Sequence, residues 1–215
     1  MISELLSSCS RCGERFSVNI YDSINAAESP ELKAAVLDGS AFVRQCPHCG
    51  APNLLRYRTL YHDPAEKLMI WLTCGSEELE EQVRGAYGRI DELKDYTTRF
   101  VDNAGSLIEK LKIFDAGLDD VVVEMTKYVT RMELAEKDKD GAAGILTAPF
   151  KFFSLDGADN QITFAYPADG EMQMVEVGFN VYEDCRGIIQ RNPAISEAAS
   201  GFVRIDGDWI ARYFR

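Results

Sequence analysis

The 215-residue chain has little histidine and lacks long apolar runs. Its two histidines, His48 and His62, leave few members for a Ser–His–Asp or Cys–His catalytic arrangement. Gly-x-Ser-x-Gly and phosphate-binding glycine loops do not occur. No run of eighteen apolar residues predicts a membrane span, and the first residues have no basic segment of a secretory signal. We therefore expect a cytoplasmic protein, and a non-enzymatic function is favoured over an enzymatic one.

Positive charge is also scarce, and it is unevenly distributed. The chain has 23 Lys and Arg against 35 Asp and Glu, for a net charge of −12. Residues 1–75 have 7 basic and 8 acidic side chains, which leaves 16 and 27 for residues 76–215. Binding to phosphates needs clustered Lys and Arg. The composition therefore disfavours nonspecific nucleic-acid binding by the second part and leaves it open for the first.

Residues 1–75 are predicted to form short strands with one inserted helix. The stretch 14–21 alternates apolar and polar residues, as a strand does, and "AFVRQC", "NLLRYRTLY" and "KLMIWLTC" are further strand candidates. "SPELKAAVLDG" predicts a helix, with Pro30 in its first turn and Gly39 after its end.

Residues 76–138 are predicted to be helical. Apolar residues recur with alternating spacings of four and three, which is the pattern of a heptad seam. They are Leu79, Val83, Ala86, Ile90, Leu93 and Phe100, with the polar Thr97 at one position of the seam. We expect this helix, 79–100, either to join two chains in a homodimer or to pack within one chain. Further helices are predicted at 104–114 and 118–137, followed by a polar linker.

Residues 145–215 are predicted to form a small α+β domain. "APFKFFSL", "NQITFAYP" and "EMQMVEVGF" are three strand candidates separated by short turns, which predicts an antiparallel sheet. "NVYEDCRGIIQR" and "GDWIARYFR" are helix candidates that could cover it. The fold class is therefore α+β, with domains at 1–75, 76–138 and 145–215.

The pattern Cys-x-x-Cys-Gly occurs twice, and it predicts a metal site. Its members are Cys9 and Cys12 in the first copy and Cys46 and Cys49 in the second. Each spacing places two sulfurs on one side of a tight turn, and the glycine permits the positive φ that such turns commonly need. Four thiolates complete the tetrahedral shell of one structural zinc ion. Strands on both sides of the turns suit a zinc ribbon.

Other interpretations of the cysteines are weaker. A thioredoxin-like pair would open a helix in a βαβ unit, and neither pair lies in such a setting. An iron–sulfur cluster also uses four thiolates, although its usual spacings are less symmetrical. His48, inside the second turn, could replace a cysteine, but an exposed spacer is favoured. Cys74 and Cys185 stand apart from the motif and are interpreted as small buried hydrophobes.

The second turn, "CPHCG", has the Cys-Pro-x-Cys form of the CpXC domain family of bacterial and archaeal proteins. "YDSINAAESPELKAAVLDGSAFVRQCPHCG" and "LLRYRTLYHDPAEKLMIWL" resemble the middle and post-cysteine segments of that family. The resemblance covers roughly residues 7–130. Ser10 stands where the family often has proline, which does not affect the ligands. The resemblance implies a zinc-ribbon-like module without an established activity.

A binding surface is predicted beside the second turn. Its candidate residues are Arg56, Tyr57, Arg58, Tyr61 and His62. If "RYR" lies on a strand, Arg56 and Arg58 share one face, and basic side chains with aromatic rings are typical of single-strand binders. An ordinary strand surface is the simpler interpretation.

The sequence leads to a structural zinc site that supports a protein-binding surface. A transcription-related zinc ribbon that binds nucleic acid is the alternative. An enzyme with a site in the C-terminal domain is a third class, because fold does not determine function.

Overall fold

The alternating apolar stretches of the first hundred residues form strands, as their period of two predicts. A computed structural model describes residues 2–88, 90–137, 141–168 and 170–214. The chain divides into two compact units. The N-terminal unit comprises Met1–Ile108 and Gly201–Arg204, and the C-terminal unit comprises Glu109–Ser200 and Ile205–Arg215.

Eight strands of the N-terminal unit form three sheets. The strands are β1 (Ile2–Ser8), β2 (Arg15–Tyr21), β3 (Ser23–Asn25), β4 (Val43–Gln45), β5 (Pro52–Leu54), β6 (Thr59–Asp63), β7 (Leu68–Leu72) and β8 (Thr97–Val101). β1 pairs with β2 and β4 pairs with β5, each antiparallel. The remaining four form a mixed sheet of order β3-β6-β7-β8, in which the two outer pairings are parallel.

Three helices accompany these strands. They are α1 (Pro30–Leu37), α2 (Glu77–Tyr87) and α3 (Ala104–Asp115), of which α3 begins in this unit and ends in the C-terminal unit, and short 3-10 turns lie at Ser40–Phe42 and Asp91–Leu93. Pro30 opens α1 and Gly39 follows its end with φ +81°, as predicted. Ser76 caps α2 by accepting a hydrogen bond from the Leu79 N–H.

The predicted continuous helix over 79–100 is wrong. α2 ends at Tyr87 beside Gly88, and the β-branched and aromatic residues that follow Lys94 favour a strand, β8, paired parallel to β7. Val83 and Phe100 are buried in a cluster with Met69 and Phe202, and Leu79 and Leu93 pack against it. Four residues of the supposed seam thus pack within their own unit, whereas Ala86 and Ile90 are exposed, and the expected homodimer loses the helix on which it was based.

The C-terminal unit combines five further helices with one sheet. Its elements are α4 (Asp120–Lys137), α5 (Ala142–Thr147), β9 (Lys151–Asp156), β10 (Gln161–Ala168), β11 (Glu171–Gly178), α6 (Phe179–Gln190), α7 (Pro193–Ala198) and α8 (Gly207–Ala211). The three strands pair in the order β11-β10-β9, and both pairings are antiparallel. This confirms the predicted α+β class and the C-terminal meander.

The two units differ from the three domains predicted from the sequence. The boundary proposed after residue 75 falls within the N-terminal unit, because β8 continues the sheet that contains β7. Part of the predicted linker, residues 138–140, lies outside the described residues. Within the described chain, none of the helices combines the length and apolar character needed to cross a membrane.

Buried charges join α3, α4 and β9 in the C-terminal unit. The Glu109 carboxylate lies 2.8 Å from the Lys127 ammonium and 2.8 Å from that of Lys151, and it accepts a 2.9 Å hydrogen bond from the Phe152 N–H. Burial raises the pKa of Glu109, but the two lysines outweigh this effect and lower the pKa to about 2. Glu109 therefore ties the first residues of β9 to the helices.

The same network extends along α4. Lys127 also lies 2.7 Å from Glu124, and Lys110 lies 2.7 Å from Asp120. Burial raises the pKa of Glu124 against the lowering effect of Lys127 and Lys110. Acidic and basic side chains are thus matched throughout, which is the condition under which buried charge is tolerated.

Removal of one charged side chain from this buried network should destabilise the fold. We expect Glu109→Gln to reduce the free energy of unfolding by about 3–5 kcal/mol at pH 7, because the buried Lys127 then keeps only Glu124 as a counter-charge and Lys151 loses its carboxylate partner. Urea unfolding followed by circular dichroism measures this loss. Glu133→Gln changes an exposed glutamate of α4 and serves as the control, with a change below about 0.5 kcal/mol.

The loss should also depend on pH. The pKa of Glu109 falls from its ordinary 4.5 to about 2 in the folded chain, so its carboxylate stabilises the fold fully above pH 4.5. That contribution disappears as the pH falls from 4.5 to about 2. The difference between wild type and Glu109→Gln should therefore narrow in this window. A difference that stays constant across it would contradict the role given to Glu109.

Candidate metal centre

The two Cys-x-x-Cys-Gly segments fold into turns with the same backbone hydrogen bonds. In the first, the Cys9 N–H donates to the Glu14 carbonyl at 2.9 Å. The corresponding donor in the second is the Cys46 N–H, which reaches the Ala51 carbonyl at 2.8 Å. The first turn follows β1 and the second follows β4. Each turn therefore reverses the chain between the strands of one antiparallel pair, β1 with β2 and β4 with β5.

The glycine after each pair closes the turn. The N–H groups of Gly13 and Gly50 donate to the carbonyls of Cys9 and Cys46, each at 2.9 Å. Their φ angles are +75° and +70°, in the region that favours glycine. The repeated glycine of the sequence thus has a conformational cause in both turns.

The four sulfurs converge on one point. The Cys9 and Cys49 sulfurs are 3.6 Å apart, those of Cys12 and Cys46 are 3.7 Å apart, and all four lie within 4.8 Å of one another. These separations are too long for disulfide bonds, which are about 2.05 Å. Among the described residues, no other group of three or more His, Cys, Asp and Glu side chains is close enough to hold a metal ion.

The sulfur arrangement fits a tetrahedral ion. Metal–sulfur bonds of about 2.3 Å place tetrahedral ligands about 3.8 Å apart, close to the two shorter separations. The sequence predicted these four ligands, and the structure brings them together into a site that could bind a metal ion. Four thiolates are the ligand set of structural zinc and of tetrahedral iron.

Electrostatics also favour a cation at this point. Hydrogen bonds from the backbone of Cys12 and Arg11 and from Asn53 lower the pKa of Cys9 to about 6, against the effect of desolvation. The Glu14 backbone lowers the pKa of Cys12, but desolvation and the neighbouring sulfurs outweigh this and raise it to about 12. Four negative sulfurs this close repel one another, and a divalent cation removes that repulsion when it replaces the protons.

Asn53 links the two turns, and sequence analysis missed it. It is buried on β5, and its side-chain oxygen accepts hydrogen bonds from the Ser10 N–H at 2.8 Å and hydroxyl at 3.1 Å. Its amide nitrogen donates to the Ala51 carbonyl at 2.8 Å and to the Cys9 sulfur at 3.6 Å. The sequence signal that could have found it is the period of two along this stretch. Asn53 lies on the same inward face as Ala51 and Leu55, which are both apolar and buried.

The predicted binding surface is only partly present. Arg56 and Arg58 are exposed, but they lie in the connection between β5 and β6 and not on a strand. Tyr57 and Tyr61 are 4% and 0% exposed, so their assignment to a surface is wrong. The reason is the alternation of this stretch, which turns the odd-numbered side chains inward. Tyr57 donates a hydrogen bond to the Ala41 carbonyl at 3.1 Å.

Neither histidine belongs to the group of four converging sulfurs. His62 is half-buried, and its Nε2 lies 3.5 Å from the Tyr96 hydroxyl. Its neighbour Asp63 is buried, and its carboxylate lies 3.4 Å from the Lys33 ammonium. His48 is exposed within the second turn, as expected for a spacer. Of the lone cysteines, Cys185 is buried and Cys74 is half-buried.

Comparison with known proteins places these features in a family. Residues 7–127 match the family model described as CpXC protein, which covers more than half of the chain and all four clustered cysteines. The resemblance expected from the sequence is thereby confirmed. No curated protein and no solved structure matches the chain.

Metal content tests the ligand assignment. Protein purified without added metal should contain one equivalent of metal per chain, measured by elemental mass spectrometry. Cys46→Ser should lose the metal, because a hydroxyl replaces one thiolate. His48→Ala is the matched control within the same turn and should retain it. Loss of the metal in the His48 variant, or its retention in the Cys46 variant, would overturn the four-sulfur assignment.

Asn53 should tune the affinity of the site. We expect Asn53→Ala to weaken metal binding by about 10–100-fold, as removal of groups that orient ligands typically does. Competition with a chromophoric chelator measures the dissociation constant. Asn19→Ala changes an exposed asparagine on β2 and should leave the affinity unchanged. Equal affinities for the two variants would show that the contacts of Asn53 do not support the ligands.

Proposed function

Because the chain belongs to the CpXC family, we propose that it is a zinc-binding, non-enzymatic interaction module. One structural zinc ion would be held by Cys9, Cys12, Cys46 and Cys49, and the zinc ribbon so formed would support a protein-binding surface. The observation that carries this proposal is the convergence of four sulfurs within 4.8 Å. Four thiolates fill the shell of a tetrahedral ion and leave no position for a substrate.

Zinc is favoured over iron by the setting of the ligands. Two glycine-closed turns between short antiparallel strands are typical of structural zinc sites with paired Cys-x-x-Cys spacings. The cysteines are all free thiols, which suits the reducing conditions of the cytoplasm. Zinc would keep the sulfurs as thiolates without redox chemistry of its own.

The surface beside the zinc site has the character of a protein-binding face. Leu54 at the end of β5 is exposed, as are Arg56 and Arg58 in the chain that follows it. Within the described residues, neither arginine has an ion-pair partner, so both are available for carboxylates of a partner. The tyrosines that would stack on nucleic-acid bases are buried, which disfavours the nucleic-acid alternative.

Affinity purification from the source organism tests this function. Zinc-loaded protein should retain a partner protein that Arg56→Ala/Arg58→Ala fails to retain, because two charge-assisted contacts are lost. With the purified partner, we expect the dissociation constant of the double variant to rise by about 10–100-fold, measured by calorimetry. Arg15→Ala removes an exposed arginine of β2 and should bind as the wild type does.

Binding of nucleic acid by the same residues is the outcome that would contradict this proposal. Fluorescence anisotropy with labelled single-stranded DNA and RNA at low salt should show no binding that depends on Arg56 and Arg58. Tight binding that weakens steeply with salt and is lost in the double variant would contradict protein recognition and support the nucleic-acid alternative.

A further inference from the structure

A cavity of about 190 Å³ opens in the N-terminal unit between the chain after β5 and the start of α3. Its inner wall includes the buried side chains of Leu55 and Leu72, and Leu54, which is 70% exposed, forms part of its rim. An apolar cavity of about 150 Å³ can hold benzene, whereas pockets for drug-sized ligands begin near 300 Å³. The cavity therefore has room for one large apolar side chain.

The charge at the rim of the cavity determines which group of a ligand can lie beside that apolar side chain. Arg56 lines the cavity, is exposed and has no ion-pair partner among the described residues. Asp102 also lines the cavity, but Arg204 lies 2.7 Å from its carboxylate and offsets its charge. The rim thus presents one uncompensated positive charge, which is complementary to a carboxylate.

Further groups at the cavity also favour a carboxylate of the ligand. Ala104 lines the cavity at the first position of α3, a helix of twelve residues whose N-terminus favours negative charge. Cys74 lines it as well, and its thiol donates a 3.3 Å hydrogen bond to the Tyr57 carbonyl. Burial raises the pKa of the Cys74 thiol, while the charges of Arg56 and Arg58 act in the opposite direction. Arg58 thus adds a second positive charge near this wall.

We propose that this cavity anchors one large apolar side chain of a partner protein while Arg56 binds a carboxylate beside it. The recognised element is a short segment in which an apolar residue is flanked by acidic residues. This deepens the proposed function and rests on it. A single apolar anchor in a pocket, with a charged contact at its edge, is a common arrangement of binding hot spots.

The cavity is connected to the metal centre through β5. Asn53 points inward and contacts Ser10 and Cys9, whereas Leu54 and Arg56 point outward and line the cavity. Metal binding fixes the turns that hold Asn53, so it also fixes the backbone that carries the rim. Recognition should therefore weaken when the metal is removed.

Methyl NMR of the zinc-loaded full chain tests the proposal with a defined probe. The probe is a nine-residue peptide with a central leucine flanked by two glutamates on each side. Titration to several millimolar should shift the methyl signals of Leu54, Leu55 and Leu72, and should leave those of Leu6 unchanged. Peptides in which the leucine is replaced by alanine, or the glutamates by lysines, should bind at least tenfold more weakly.

Variants locate the binding site. Ala104→Leu fills the cavity from the half-buried start of α3, and Leu54→Ala removes part of its rim; each should weaken peptide binding at least tenfold. Leu6→Ala truncates another exposed leucine and should change binding less than twofold. An unchanged urea midpoint confirms that each variant is folded. Absent methyl shifts, or a peptide dissociation constant that Ala104→Leu leaves unchanged, would overturn the proposal.

The same variants separate this proposal from the proposed function. If the purified partner depends on Arg56 and Arg58 but binds Ala104→Leu as tightly as wild type, the interaction module stands and the apolar anchor is wrong. If the partner is insensitive to the arginines as well, the proposed function fails. Shifts of the same methyl signals by single-stranded DNA, but not by the peptide, would overturn the protein assignment.

Discussion

Four cysteine sulfurs within 4.8 Å of one another are the constraint on which the first half of the molecule depends. Thiolates this close repel, so a bound cation converts an unfavourable cluster into a cross-link. The turns that carry the sulfurs belong to two separate two-stranded sheets, β1 with β2 and β4 with β5. Isolated two-stranded ribbons are marginally stable in water. A metal shared between them would supply the stability that their small apolar area does not.

The metal centre also accounts for the position of the candidate binding face. Asn53 reaches both turns with its side-chain amide, and the next outward residues along the chain are Leu54 and Arg56. Successive side chains of a strand point to opposite faces, so fixing an inward residue also fixes the backbone that carries its outward neighbours. In the proposed function, the metal site would thus also position this surface. In the C-terminal unit, the charged network around Glu109 holds β9 against the helices in a similar way.

Local patterns predicted much of this arrangement because their causes are local. The two cysteine turns, helix α1 and the three-stranded meander each depend on spacing, a proline or glycine at a boundary, or alternation within a few residues. The heptad spacing over 79–100 failed for the opposite reason. Val83 and Phe100 are buried by a sheet and by Phe202, which lies far away in sequence, and Leu79 packs partly buried against them.

Tyr57 and Asn53 illustrate the same limit. Alternation shows that neighbouring side chains face opposite ways, but it does not say which side is buried. Tyr57 faces inward and Arg56 outward because of the tertiary packing of the unit. Asn53 is polar, yet it belongs to the inward set because the sulfurs and the first turn supply its hydrogen-bond partners.

X-ray absorption at the zinc edge, on protein purified without added metal, tests the central claim most directly. We expect a zinc signal with four sulfur neighbours at about 2.3 Å and no nitrogen or oxygen neighbour in the first shell. An iron edge in place of zinc, or a shell that contains nitrogen or oxygen ligands, would contradict a closed structural zinc site.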